Sequence, residues 1–264
     1  MTSWVRFRSG TDDVGFGIRV GDRIDCHDGS LFDSPQPRGE SLAAAGVALL
    51  EPCRPDKIVA LWNNFHALAS KLGKAAPSHP LFLIKPSSSV IGPGADIERP
   101  RGYIGKIAFE GELGIVIGRR CRQVAPAQSA EYIFGYTCVN DITAIGVMNE
   151  NPDFVQWCRA KGFDTFGALG PAIVTGLDWR RASVVTTVDG VERQRYPLSD
   201  MIFAPEEIVS RISHDMTLLP GDVIACGTSV GVGSIPDGAT VEVSIDGIGT
   251  LSNRLAPAIT AASA

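Results

Sequence analysis

The chain has 264 residues, a formal net charge of −5, 44% hydrophobic residues and 20% charged ones. That composition supports a globular core, and with no basic run it argues against nucleic acid or an anionic membrane surface as the main partner. No apolar run reaches the roughly 20 residues of a membrane-spanning helix, and the opening MTSWVRFRSG lacks the apolar stretch of a signal peptide.

In chain order, WVRFRSG and GFGIRVGDRIDCHDG alternate and turn at glycines, as β-hairpins do, and predict a small N-terminal β domain over residues 1–55. SLAAAGVALLEP predicts a short helix stopped by Pro52. KIVALWNNF predicts a strand, and HALASKLG a helix closed by its glycine. Short strands then follow one another between Gly/Pro turns, in LFLIKPSSSVIGPG, ELGIVIG, IFGYTCVND and GPAIVTG. PEEIVSRISHDMTLLPGD predicts one amphipathic helix before the hairpin-rich GDVIACGTSVGVG and GATVEVSIDGIGTLSNRL. Strands dominate and the βαβ rhythm is missing, which favours a strand-rich α+β fold, a mixed β-roll or barrel, over a doubly wound sheet. A larger unit is expected over 56–256, with a frayed C-terminal tail over 257–264. The six cysteines are scattered without a Cys-x-x-Cys pair, a spacing that suits reduced thiols in a cytoplasmic protein.

The stretch FEGELGIVIGRR, residues 109–120, places Glu110 and Glu112 on one face of a strand. The other face, Phe109, Gly111, Leu113, Ile115 and Ile117, reads as core-facing with period two. Two like charges that close repel and are costly to bury, so the face is either in water or met by something positive. Asp141, at the end of the apolar run GYTCVND, offers a third carboxylate. Three carboxylates without a nearby histidine or cysteine pair suit a hard divalent ion, Mg²⁺, Mn²⁺ or Ca²⁺, better than zinc. A solvated strand face with a capping aspartate explains the same spacing.

Four motifs in order resemble the fumarylacetoacetate hydrolase family: FEGELGIVIGRRCRQV, YIFGYTCVNDITA, QWCRAKGFDTFGALGPAIVT, and LLPGDVIACGTSVGVG with VEVSIDGIGTLSNRL. The resemblance runs from about residue 57 to residue 254. It implies a β-roll or β-sandwich core as the catalytic domain, a smaller N-terminal domain, and a homodimer. It also implies that Glu110, Glu112 and Asp141 hold Mg²⁺ or Mn²⁺. Lys161 in RAKGFDTF matches a family lysine beside the metal, where a cation can hold an enolate oxygen or a carboxylate; otherwise it reads as a surface lysine. Thr228 in CGTSVGVG matches a substrate-binding threonine, and Lys85 in FLIKPSSS a Lys-Pro position near the pocket; a plain turn and a structural lysine are the alternatives. His66, counted without gaps from KIV, falls on the family's histidine in a closing helix, where it helps activate a water; capping or packing explains it equally well.

Three departures stand against that pattern. The usual Asn-Tyr before the histidine is Trp62-Asn63, the glutamate three positions after it is Ala69, and the arginine four positions after the metal aspartate is Ile145. An isoleucine cannot grip a carboxylate as a bidentate arginine does. An uncharged far end of the substrate is therefore expected at Ile145, unless Ile145 faces the core and Arg159 supplies the charge. The sequence accordingly implies a metal-dependent enzyme that hydrolyses a C–C bond in a small 1,3-dicarbonyl or 2-oxo acid. A decarboxylase or isomerase of related acids from aromatic catabolism, and a non-catalytic binding protein on the same fold, are the alternatives.

Overall fold

The computed structural model describes residues 1–10 and 13–257. Its N-terminal part is a meander of β1 (Thr2–Ser9), β2 (Asp13–Val20), β3 (Arg23–Ser30) and β4 (Asp33–Ala43), each antiparallel to the next. The alternation seen in the sequence sends Val5, Phe7, Ile24 and Cys26 into a small core of their own. The helix expected before Pro52 does not form. Ala44–Gly46 make a single 3-10 turn, and β5 (Ala48–Leu49) pairs with β1 instead. Its small apolar residues lie beside an open strand edge, where backbone pairing outweighs a marginal helix propensity.

The rest of the chain supplies β6 (Lys57–Trp62), α1 (His66–Lys71), β7 (Leu81–Pro86) and the short β8 (Val90–Ile91), β9 (Asp96–Ile97) and β10 (Ile107–Phe109). Then come β11 (Gly111–Ile117), β12 (Ile133–Asp141), β13 (Thr143–Ala144), α2 (Ile145–Met148), α3 (Trp157–Lys161) and β14 (Gly167–Thr175). The chain ends with β15 (Ser183–Val188), β16 (Val191–Pro197), α4 (Pro205–Asp215), β17 (Val223–Ala225), β18 (Gly233–Ser234), β19 (Thr240–Ile245) and β20 (Gly249–Leu255). The sequence places the one amphipathic helix, α4, and the strand-rich character correctly. The expected tail extends beyond residue 257, outside the described residues.

One large mixed sheet runs β4-β3-β2-β1-β14-β12-β11-β17-β6-β7. The N-terminal meander joins it edge to edge, because β1 pairs antiparallel with β14. A second sheet, β16-β15-β19-β20-β9, packs over its middle, and a third small sheet, β13-β10-β18, lies at one end. The main core lies between the two larger sheets, where Leu113, Ile115 and Ile117 of β11 meet Val184 of β15, Val243 of β19 and Leu251 of β20. The opposite face of the large sheet is also covered: Val116, Val139, Ile173 and Val223 form a second cluster with Ile58, Ala60 and Leu83. Strand β11 is therefore buried along its whole length on both faces.

Interdigitation of the two sheets is tightest at Gly111, where an added Cβ would lie 2.1 Å from Thr186 Oγ1 and 3.3 Å from the Val243 methyls. Only glycine admits so close an approach. Gly111→Ala should lower the urea midpoint by the equivalent of about 1–3 kcal/mol, the usual range for overpacking. Adding Thr186→Ala should restore part of that loss, as a double-mutant cycle of contacting residues requires. Equal midpoints for Gly111→Ala and the parent chain would refute the close packing.

Candidate metal centre

The two glutamates flank Gly111 at the start of β11, and antiparallel pairing sets Gly111 against Asn140, beside Asp141 at the end of β12. Two further bonds hold this end of the ladder: Asp141 N–H donates to Glu110 O (2.9 Å) and Glu110 N–H to Asn140 Oδ1 (3.0 Å). Period-two geometry then turns Glu110, Glu112 and Asp141 onto one face. Each offers a carboxylate oxygen, and these oxygens all lie within 4.8 Å of one another. Glu112 and Asp141 are fully buried. The face is not in water.

Cations meet it instead. Lys161, at the end of α3, places Nζ 2.8 Å from Glu110 Oε1 and 2.7 Å from Asp141 Oδ2. It also donates to Thr143 Oγ1 at 2.7 Å, and that hydroxyl donates onward to Glu110 Oε1 at 3.0 Å. Lys85, from β7, donates to the other oxygen of Asp141 and to Ile142 O. Neither ammonium is on the surface: Lys85 is 0% and Lys161 2% exposed. Three carboxylates face two ammoniums, and Glu112 is the one left without a cation. Its Oε2 accepts the Gly227 N–H at 2.8 Å, while its Oε1 is buried with no partner.

The electrostatics follow that asymmetry. Burial, with Asp141 and Glu110 adding repulsion, pushes the Glu112 carboxyl well above its usual range. Burial also raises Glu110, beyond what Lys161 offsets. Burial pushes Asp141 up too, but Lys161 and Lys85 together outweigh it and hold that carboxyl below the ordinary value. An orphaned buried oxygen in a cluster of hard, all-oxygen donors is what a divalent ion such as Mg²⁺ or Mn²⁺ would satisfy. The residues fit the ion.

A further layer fixes the glutamates. The Gly111 N–H donates to Gln194 Oε1 (3.1 Å), and the Gly111 carbonyl accepts from Tyr196 Oη and from Thr228 Oγ1 (3.0 Å). Gln194 Nε2 in turn donates to Thr228 Oγ1 at 2.9 Å. The two peptide groups that join Gly111 to its flanking glutamates are thus held by three side chains. The single proton of the Thr228 hydroxyl is given to the backbone, so the expected substrate contact cannot be a hydrogen bond donated by that hydroxyl in this arrangement. Gln194 and Tyr196 escaped the sequence reading. The signal available was a glutamine at an inward position of an otherwise exposed alternating strand, VERQRYP.

The remaining expected residues lie further out. His66 opens α1 and is exposed, and its imidazole makes no hydrogen bond among the described residues. The segment before it is firmly anchored. Asn64, 1% exposed, donates to Phe203 O and Cys226 O and accepts from Phe203 N–H. Phe65 packs edge-on against Tyr196, with ring centres 4.9 Å apart. Asp200 Oδ2 accepts the Ala67 N–H at 3.0 Å. Ala69 points inward at 4% exposure, so a carboxylate at that position would be buried rather than set beside the imidazole. Ile145 is half-buried at the start of α2. Arg159 is exposed, and its guanidinium pairs with Glu150.

The family pattern described as fumarylacetoacetate (FAA) hydrolase C-terminal matches residues 57–256, and a pattern described as Rv2993c-like, N-terminal matches residues 3–52. The chain is 42% identical over 225 residues to protein Rv2993c of Mycobacterium tuberculosis, covering 84% of this chain and 83% of that one. In structure it is similar to a 2-hydroxyhepta-2,4-diene-1,7-dioate isomerase from Mycobacterium marinum, with a TM-score of 0.89, 37% identity and coverage of 98% and 100% of the two chains. It is also similar to a fumarylacetoacetate hydrolase from Exiguobacterium antarcticum, with a TM-score of 0.84, 29% identity and the same coverage. No helix among the described residues is long and apolar enough to cross a membrane.

Glu112→Gln keeps the shape of the side chain and removes the charge that has no cation beside it. Mn²⁺ binding measured by calorimetry should then fall by at least about 100-fold. The metal-free protein should melt higher by a few degrees, because an uncompensated buried charge worth on the order of 1–3 kcal/mol is gone. Unchanged Mn²⁺ affinity would show that the three carboxylates do not form the site.

Proposed function

The chain belongs to the fumarylacetoacetate hydrolase family, and on that premise we propose that it is a divalent-metal-dependent enzyme cleaving a C–C bond in an acylpyruvate-like 1,3-dicarbonyl 2-oxo acid. The observation that carries this reading is the buried carboxylate triad, with one unpartnered oxygen and two buried lysines beside it. Glu110, Glu112 and Asp141 would hold Mg²⁺ or Mn²⁺, and the bound ion would polarise the oxygens of the oxo acid.

The chain's own residues supply the rest. Lys161 keeps its positive charge, because Asp141 and Glu110 raise its pKa despite burial. Its three N–H groups go to Glu110, Asp141 and Thr143, so it acts on developing negative charge through the field of a fixed cation in a dry site. His66 stands free on α1 and can take a proton from water as the oxygen attacks the carbonyl distal to the carboxylate. The new C–O bond forms there and the neighbouring C–C bond breaks, its electron pair passing into the enolate of pyruvate beside Lys161. Protonation of that enolate carbon, by the proton His66 has taken, yields pyruvate and a carboxylic acid. Asn64, Phe65 and Asp200 keep the first turn of α1 in place for that role.

A second reading, decarboxylation or isomerisation of a related acid, draws support from the Mycobacterium marinum relative, which bears an isomerase name. A non-catalytic binding protein would have little use for two lysines buried against the triad.

Incubation with Mg²⁺ and acetylpyruvate, followed by NMR, should yield pyruvate and acetate. His66→Asn should lower kcat by about 10²–10⁴-fold, the usual contribution of a general base, with Mn²⁺ affinity retained. Release of CO₂ from oxaloacetate with acetylpyruvate untouched would replace the hydrolase by the second reading.

A further inference from the structure

Lys85 lies opposite Ile58 on the β6–β7 ladder and reaches Asp141. Ile58 and Ala60 share one apolar cluster with Val116 and Val139, which stand four and two positions from Glu112 and Asp141 and so share their face of the sheet. Period two therefore sends Trp62, the last residue of β6, onto the face that carries the carboxylates. The register places it more closely. Ala225 of β17 pairs with Gly114 on one side and Ala60 on the other. Two residues along, Glu112, Gly227 and Trp62 stand in a row across the sheet.

The middle member of that row has no side chain. Gly227 has φ +89°, a conformation other residues rarely adopt, and an added Cβ would lie 3.2 Å from Leu61 O. Gly227 itself puts no side chain between the strand that carries Glu112 and the one that carries Trp62, whose backbones stand about 10 Å apart by two strand spacings. From above, α3 completes the wall: Trp157 lies one turn before Lys161, so helical geometry puts the indole and the ammonium on the same side of α3. The ring centres of Trp62 and Trp157 are 5.7 Å apart at 46°, and both rings are only half-buried. The Lys74 ammonium stands 5.7 Å from the centre of the Trp62 ring. The nearest arginine of α3, Arg159, is spent on Glu150.

We infer that Trp62 and Trp157 form an aromatic subsite that takes a flat, uncharged group, an aryl ring above all, on the acyl end of the oxo acid. This rests on the reading of the carboxylate triad as the place where the oxo-acid end binds. Two indoles offer a large apolar area and the tilted geometry that a ring accepts; of the two flanking cations, Lys74 lies over the Trp62 ring itself and Arg159 pairs with Glu150.

The test compares benzoylpyruvate with acetylpyruvate in the presence of Mg²⁺, and follows binding of phenylpyruvate, which cannot undergo the hydrolysis, by calorimetry in the presence of Mn²⁺. Benzoylpyruvate should have the higher kcat/KM. Trp62→Ala should lower that value about tenfold, mostly through KM, and change acetylpyruvate less than about twofold. Trp62→Phe, which keeps a ring, should retain most of the preference and guards against a folding defect in the alanine variant. If neither acylpyruvate is cleaved while phenylpyruvate binds and loses affinity in Trp62→Ala, the hydrolase reading falls and the subsite stands. If acetylpyruvate is cleaved as well as benzoylpyruvate and Trp62→Ala affects both alike, the subsite falls and the hydrolase stands. Absence of phenylpyruvate binding together with absence of cleavage overturns the subsite as well.

Discussion

Three carboxylates brought within 4.8 Å of one another in a buried pocket cannot persist on their own, because each ionised group has lost its water and faces two like charges. Lys161 and Lys85 are the chain's answer to that repulsion, and their own burial is tolerable only because Asp141 receives both of them. The compensation is unequal. Asp141 is over-provided, Glu110 shares Lys161, and Glu112 has one backbone N–H and nothing more. A cluster short of one cation at one oxygen is preorganised for a further cation and discriminates against neutral occupants.

The architecture serves that constraint. A strand whose two faces are both buried normally carries apolar residues throughout, and β11 does so except at its entry, where the pocket opens. Its core face locks into the second sheet through Leu113, Ile115 and Ile117. Its site face passes from Val116, through Gly114, to Glu112. The Gly111 peptide is where the two requirements meet. It must be glycine for the sheets to close on Thr186, and its N–H and C=O are the handles by which Gln194, Tyr196 and Thr228 hold the adjoining glutamates. Packing density and ligand geometry are therefore set by the same residue.

The same contacts join the pocket to the surface. Tyr196, bonded to Gly111, supports Phe65, and Asn64 ties the segment before His66 to Cys226, next to the glycine that donates to Glu112. An exposed histidine on a short helix can thus hold a defined position without an ionic partner of its own.

How much of this was legible beforehand depended on whether the signal was local. The carboxylate pair, the core face of β11, the amphipathic α4 and the strand-rich character all follow from spacing alone, because a period of two or 3.6 dictates which side chains share a face. Asp141 stood out by its place at the end of an apolar strand, and resemblance in four motifs added Lys161. The turn at Ala44–Gly46 was misread as a helix because its competitor, the open edge of β1, is supplied by residues some forty positions away. The resemblance implies a substrate contact for Thr228, with Arg159 as the alternative to an apolar contact at Ile145; the fold ties the Thr228 hydroxyl to the Gly111 carbonyl and the guanidinium to Glu150. Gln194, Tyr196 and the row from Glu112 to Trp62 lie on strands brought together across some 80 to 165 positions of sequence. By itself, then, the sequence determined which residues share a face and which groups are able to carry charge. Which of those charges meet, and which hydroxyls are left with a proton to give, only the tertiary structure decided, because pairing partners are chosen by the register between distant strands and by the burial that follows from it.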